Sequence, residues 1–382
     1  MANDGPHQFS NNHHSALRAI LRLKAGLAPL DRLEELTVNR ARHFDYLSSL
    51  LSTAKSESHA FGIVLGPYGS GKSHFLQLAK QFALNHKFAV AQLNLDTGVA
   101  SLSHPQRHVS SILSTLTAPP PWGSLLEWVG TVFDDPVESL SIEDHLRSKL
   151  NQYRSIGNTA DEILAIVDSS PREQRSVRIV EHLSGGLLVG YSAHTRARLR
   201  AYELLQFWAK LCRDYLGCAG LVLLLDEMEN LFSGAVYWNI LSRRTALRTL
   251  GYYSSNLKPA AIVCALTPDG WDQFRDEIKV RKDYFINYWS RLESENIPKL
   301  LTTILKCDPH ELFVFNQRTY GMLAMQLESI HAEARRYHQA SLSRSFATAF
   351  SSPSMTPRIF AKSVVSALEA NWLTMEQAAT EI

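Results

Sequence analysis

The stretch Phe61-Gly62-Ile63-Val64-Leu65, then Gly66-Pro67-Tyr68-Gly69-Ser70-Gly71-Lys72-Ser73, then His74-Phe75-Leu76-Gln77-Leu78-Ala79, decides how this chain folds. The first five residues form a short apolar run, the pattern of a strand buried on both faces. From His74 to Asn85 the apolar positions recur at helical spacing. Between them stands a complete GxxxxGK[ST] pattern, in the strand-loop-helix context its chemistry requires. A second apolar run, Ala89 to Leu95, closes a strand-loop-helix-strand unit. The class this predicts is α/β with a parallel sheet.

Glycines let such a loop wrap its N–H groups around phosphate oxygens, and the helix that starts here adds its positive end. Gly66, Pro67, Tyr68, Gly69, Ser70, Gly71, Lys72, Ser73 and His74 are therefore the candidate nucleotide-binding residues. In this pattern Lys72 reaches the β and γ phosphates of ATP, and the Ser73 hydroxyl ligates Mg²⁺. Downstream, Leu221-Val222-Leu223-Leu224-Leu225 ends in Asp226 and Glu227. An apolar strand closed by two acids is a Walker B pattern, with Asp226 as the metal carboxylate and Glu227 as the base that orients water. Two acids at a strand end also occur as plain solvated residues; the loop at Lys72 favours the catalytic role.

Three single residues join the candidate set. Thr267 comes directly after the apolar run Ala260 to Leu266, where it could position water or simply terminate the strand. Arg291 precedes a short run at Asn296 to Leu300; it reads as an arginine finger acting on a neighbouring subunit, or as a surface arginine. Arg358 sits in Thr356-Pro357-Arg358, a lid contact to phosphate or an ordinary helix start with Pro at its first position.

With 382 residues the chain exceeds the usual growth limit of one core. The patterns divide it into a helical segment at 1–59, a core at 60–300 with a helical insertion at 96–220, and an all-α lid at 301–382. Met1 to Ser15 is polar and reads as frayed, Ser52 to His59 reads as a polar linker, and only helices are expected after Pro309. Composition is 45% hydrophobic and 20% charged with a net charge of +2, ordinary for a globular protein. No run approaches the ~20 apolar residues of a membrane span. The expected location is cytoplasmic. Cys212, Cys218, Cys264 and Cys307 include no CxxC pair and read as reduced, buried thiols. His13, His14, His104 and His108 lack metal-ligand spacing and read as exposed polar residues, so no structural zinc is expected. Basic clusters at Arg196, Arg198 and Arg200, at Arg243, Arg244 and Arg248, and at Arg335 and Arg336 are local candidates for DNA contact; solvated helix faces are the alternative.

Taken in order, Val38-Asn39-Arg40, the 66–73 loop, Asp226-Glu227, Thr267, Ser290-Arg291-Leu292 and Pro357-Arg358 resemble the AAA+ layout of the origin-recognition and initiator clade. That resemblance implies a P-loop NTPase core with a small helical lid, with Val38 and Arg40 beside the adenine, Arg291 as a finger in trans and Arg358 as second sensor. Asn39 stands where that clade usually has glycine. Gly66 to Leu76, the run Leu225 to Leu231 and the helical insertion are more narrowly similar to the ATP-binding proteins of bacterial BREX phage-defence systems. This implies a cytoplasmic prokaryotic ATPase, a homo-oligomer working beside other defence or DNA-processing proteins. Three functions remain open from the residues: an oligomeric remodelling ATPase, a nucleotide-gated scaffold with little turnover, and a small-molecule kinase.

Overall fold

A computed structural model describes residues 6–57, 59–95, 101–183, 194–231, 240–280, 303–312, 315–335 and 355–380. The chain divides into two compact units. One comprises Tyr46–Leu65 and Ala79–His310; the other comprises Met1–Asp45, Gly66–Leu78 and Glu311–Ile382.

The first unit is built on a sheet of seven strands, β1 His59–Leu65, β2 Phe88–Asn94, β3 Thr117–Ala118, β4 Gly123–Ser124, β5 Gly220–Asp226, β6 Ala260–Leu266 and β7 His310–Glu311, of which β1, β2, β5 and β6 are the apolar runs of the sequence. Their spatial order is β4-β3-β2-β5-β6-β1-β7. Every residue of β5 and β6 is buried, so neither has a polar side to turn to water. Such strands are stable only in the middle of a sheet covered on both faces. They pair in parallel, with Leu225 opposite Cys264, and β6 pairs in parallel with β1, with Leu65 opposite Leu266. The carboxyl ends of β1, β6 and β5 therefore lie level at one edge.

Between β2 and β5 the helices expected at 96–220 are present: Pro105–Thr115, Leu125–Val132, Pro136–Ser148, Leu150–Arg154, Thr159–Ser169, Arg172–Leu183 and His194–Asp214. The insertion is not purely helical. Thr117-Ala118 and Gly123-Ser124 form a small antiparallel hairpin that extends the sheet beyond β2. The Pro119-Pro120-Pro121 break that reads only as a helix interruption is the turn of that hairpin. Trp208, Tyr153, Phe207 and Tyr253 are fully buried in the same core as β5 and β6. His108 is fully buried too, stacked on Tyr253 at 5.7 Å, which corrects its reading as an exposed residue.

Arg200 is likewise buried, paired with Glu162 and, at 3.2 Å, with Glu203, so it belongs to an internal ion-pair network. The side chains of Arg196 and Arg244, and the whole of Arg336, lie outside the described residues. Cys212, Cys218 and Cys264 are buried free thiols and Cys307 is half-buried. No helix among the described residues is long and apolar enough to cross a membrane.

In the second unit the helices Pro6–Lys24, Gln317–Arg335 and Pro357–Thr380 share a core of Ala16, Ala19, Ile20, Leu327, Phe360 and Val364. The amino-terminal helix begins at Pro6, inside the segment expected to fray. The expected linker after Leu51 is also ordered: the helix Arg40–Glu57 runs almost to β1. β7 is a short strand in the region where only helices are expected. The run at Asn296 to Leu300 falls outside the described residues.

One ion-pair network ties the three helices together. Arg335 donates to both carboxylate oxygens of Glu369 at 2.8 and 2.7 Å, His331 Nε2 donates at 2.8 Å, and Lys24 lies 3.4 Å away. Burial alone would push the Glu369 carboxyl up, but the Arg335 and His331 hydrogen bonds outweigh it and hold it down at about 2. A depressed acid contributes stability that is present above the ordinary carboxylate range and lost as pH falls through the folded value. Thermal unfolding followed from pH 7 to pH 2 should accordingly show a falling midpoint below about pH 4.5. Glu369→Gln should start lower at pH 7, by up to about 3 kcal/mol, and show a flatter descent. Identical acid limbs for the two proteins would show that Glu369 carries none of this linkage.

Candidate functional site

The loop at 66–71 follows β1 and opens the helix Lys72–Asn85, as its sequence pattern requires. Gly69 and Gly71 both have left-handed backbone, φ +75° and +104°, which side chains with a Cβ rarely adopt. A Cβ on Gly71 would meet nothing within 4 Å, whereas one on Gly69 would lie 2.6 Å from Thr356 Oγ1. Lys72, only 7% exposed, donates from Nζ to the carbonyl oxygens of Gly66 at 2.8 Å and Pro67 at 3.4 Å, and lies 5.0 Å over the Tyr68 ring. Ser70 Oγ is buried with no hydrogen-bond partner among the described residues. A buried hydroxyl without a partner is costly and is the kind of group a ligand oxygen satisfies. Ser73 is exposed.

Other segments of the same unit grip this loop. Thr356 caps the helix that begins at Pro357, its hydroxyl accepting the Ile359 N–H at 3.3 Å. The Arg358 N–H donates to the Gly69 carbonyl at 3.3 Å, while a Cβ on Gly26 would lie 3.6 Å from Arg358 Nε. Arg358 thus touches the loop through its backbone and lays its guanidinium against the turn at Gly26.

On the other side, Thr37 donates its hydroxyl proton to the Leu33 carbonyl at 2.6 Å. With that proton committed, the 2.8 Å contact to His74 Nε2 must be a bond that His74 donates. Burial, reinforced by the neighbouring His43, pushes the His74 imidazole down to about 4, so it is a neutral donor at pH 7. His43 is pushed down to about 4 by burial and by Arg42, and packs edge-on to Phe75 at 5.2 Å.

These contacts bring the Val38-Asn39-Arg40 element and the loop into one unit. Asn39 has φ +58°, a left-handed position where asparagine is the best substitute for glycine. Val38 is buried in the helical core, and Arg40 pairs with Glu34 at 3.2 Å at the surface.

In the sheet unit, Asp226 ends β5 only 7% exposed, its Oδ1 accepting the Glu227 N–H at 3.0 Å. Glu227 has φ +58°, a strained position for a residue of its size. Such strain concentrates at functional sites. The Asn230 amide reaches Glu227 Oε2 at 3.4 Å, and the 3₁₀ turn Met228–Leu231 is anchored by buried Met228 and Leu231. Thr267 follows β6; its hydroxyl accepts the Gly270 N–H at 3.1 Å, the plain structural role that its position alone also suggests. Arg291 lies outside the described residues.

Among the described residues no cluster of three or more His, Cys, Asp or Glu could hold a metal ion.

Residues 12–132 match the family model described as BREX system ATP-binding protein BrxC/D. The chain resembles the BREX ATP-binding proteins. The matched stretch holds the 66–73 loop, β1 and β2, whereas Asp226, Glu227, Thr267 and Arg358 lie beyond it. No curated protein matches the chain.

Thr37, His43 and Thr356 escape the sequence-based set. Each acts through a long-range contact, and a lone threonine or histidine carries no spacing signal; only the Thr-Pro helix start points to Thr356. The Gly69 geometry sets a measurable contrast. Gly69→Ala adds a clash with Thr356 to left-handed strain, while Gly71→Ala adds strain alone. In urea unfolding, Gly71→Ala should cost about 1–2 kcal/mol and Gly69→Ala clearly more. Equal losses would mean that Thr356 does not constrain the loop.

Proposed function

We propose that this chain binds ATP with the 66–73 loop and hydrolyses it as a P-loop ATPase of the AAA+ type in a phage-defence or DNA-processing system. The observation that carries this reading is the level register of three strands. β1 hands the chain to the loop at Leu65, β6 hands it to Thr267, and β5 ends in Asp226, all at one edge. Ligands of open α/β sheets bind at the carboxyl ends of the strands.

In this scheme the loop N–H groups and Lys72 hold the phosphates, and Ser70 Oγ supplies one more bond to them. Ser73 and Asp226 ligate Mg²⁺, which neutralises charge as the γ-phosphoryl group leaves. Glu227 orients and deprotonates water, aided by Thr267. Val38 and Arg40 flank the base, Arg358 acts from a C-terminal lid over 301–382, and Arg291 serves a neighbouring subunit. The match to a family described as ATP-binding in a BREX system supports nucleotide binding and partner proteins of such a system; a cytoplasmic setting and DNA as a further partner are parts of the same proposal.

Steady-state ATP hydrolysis measured across protein concentrations, with and without DNA, tests the whole scheme. Specific activity should rise with concentration as subunits assemble. Lys72→Ala should lose nucleotide binding, and Glu227→Gln should keep it while turnover falls by about 10²-fold or more. Normal turnover in Glu227→Gln would remove that residue from the mechanism. Tight binding with no turnover under any condition would make the protein a nucleotide-gated scaffold.

A further inference from the structure

At the opposite end of the sheet unit, the helix His194–Asp214, the segment after Leu150–Arg154 and the residues leading into β6 line an open cavity of about 370 Å³. Lys210, Arg213 and Lys258 line it together with Gln206, Ile156 and Leu257. The cations are unequally compensated. Asp214 takes Lys210 on one carboxylate oxygen at 2.8 Å and Arg213 on the other at 3.2 Å, so a single negative charge serves two positive ones. Arg213 also donates to the Lys258 carbonyl at 3.1 Å, which draws the third cation to the same wall. The exposed Lys258 ammonium has no hydrogen bond or ion pair among the described residues. Three cations against one carboxylate leave the wall with a net charge of +2, a repulsion that a bound anion relieves.

The neutral lining fits the same ligand. Gln206 Oε1 accepts the Tyr252 hydroxyl at 3.2 Å, which leaves the Gln206 amide N–H groups as its contribution to the cavity. The polar lining is thus rich in donors, and Ile156 and Leu257 add an apolar wall. A volume of this size lies in the range of small-molecule sites. Lys258 precedes β6 at Ala260, and β6 ends at Leu266, so at ~3.3 Å per residue the length of β6, about 20 Å, lies between the cavity and Thr267.

We propose that this cavity is a second binding site, for a small phosphorylated molecule of mononucleotide size, with Lys210, Arg213 and Lys258 on the phosphate and Ile156 and Leu257 against the less polar part. The site is separate from the 66–73 loop and stands whether or not the chain hydrolyses ATP.

The test is phosphorus NMR line broadening of adenosine monophosphate titrated with two full-length variants, Lys72→Ala and Lys72→Ala/Lys258→Glu. The first lacks the loop lysine; the second also reverses the charge of an exposed side chain whose ammonium has no partner among the described residues. Saturable broadening by the first and binding about tenfold weaker or more by the second is the expected result. Lys258→Met serves in its place if the charge reversal lowers the unfolding midpoint. Absence of saturable broadening with Lys72→Ala overturns the proposal, as does equal broadening with both variants. Displacement of the monophosphate by a short single-stranded DNA at lower concentration also overturns it, because the surface then serves a nucleic-acid backbone.

Discussion

Complete burial of two neighbouring strands is the constraint on which the rest of this structure depends. β5 and β6 have no residue that can face water, so the sheet must be covered on both sides. Each fully buried aliphatic side chain contributes about 1.5–3 kcal/mol relative to exposure, and that gain exists only while the covering helices stay in place. The helices between β2 and β5 are therefore more than an ornament on the sheet. Tyr153, Phe207 and Trp208 lie in the same cluster as Leu223 and Ile262, so the insertion supplies part of the core itself.

Parallel pairing in this register has a chemical consequence. Strands that run the same way and end level deliver their succeeding residues to one edge. Here those are the exit of β1, the Asp226-Glu227 pair and Thr267. The backbone at Glu227 departs from the comfortable regions just where the strand hands over to the 3₁₀ turn. Leu221 to Leu225 is therefore both the most apolar stretch of the chain and the support for its most polar candidate groups.

The loop is held by a different kind of force. Its glycines lie in a helical unit, where Thr356, the Arg358 N–H and the Thr37–His74 bond fix its backbone from two sides. The same unit relies on Glu369, a buried carboxylate shared by Arg335, His331 and Lys24. Removing one member of such a network leaves the others buried and unsatisfied. Polar contacts in this unit set geometry, whereas apolar burial in the sheet unit sets order.

Local patterns carry their meaning within a few residues, and those the amino-acid sequence determined by itself. The apolar runs at Phe61, Ala89, Leu221 and Ala260 name the strands, the glycines and lysine of 66–73 name the loop, and Asp226-Glu227 names the acids, because burial on both faces and left-handed turns each demand particular side chains. The hairpin at Thr117 to Ser124 and the strand at His310 are too short for a periodic signal, so they exist only because β2 and β1 offer edges to pair with. Arg200, His108 and His331 look like surface residues in one dimension and are buried in three, since a charged or polar group changes its preference once a partner such as Glu162 or Glu369 arrives from far along the chain. Only the tertiary structure decided those, and likewise the Thr37–His74 bond and the cationic cavity at Lys258, because each depends on contacts between segments whose sequences say nothing about one another.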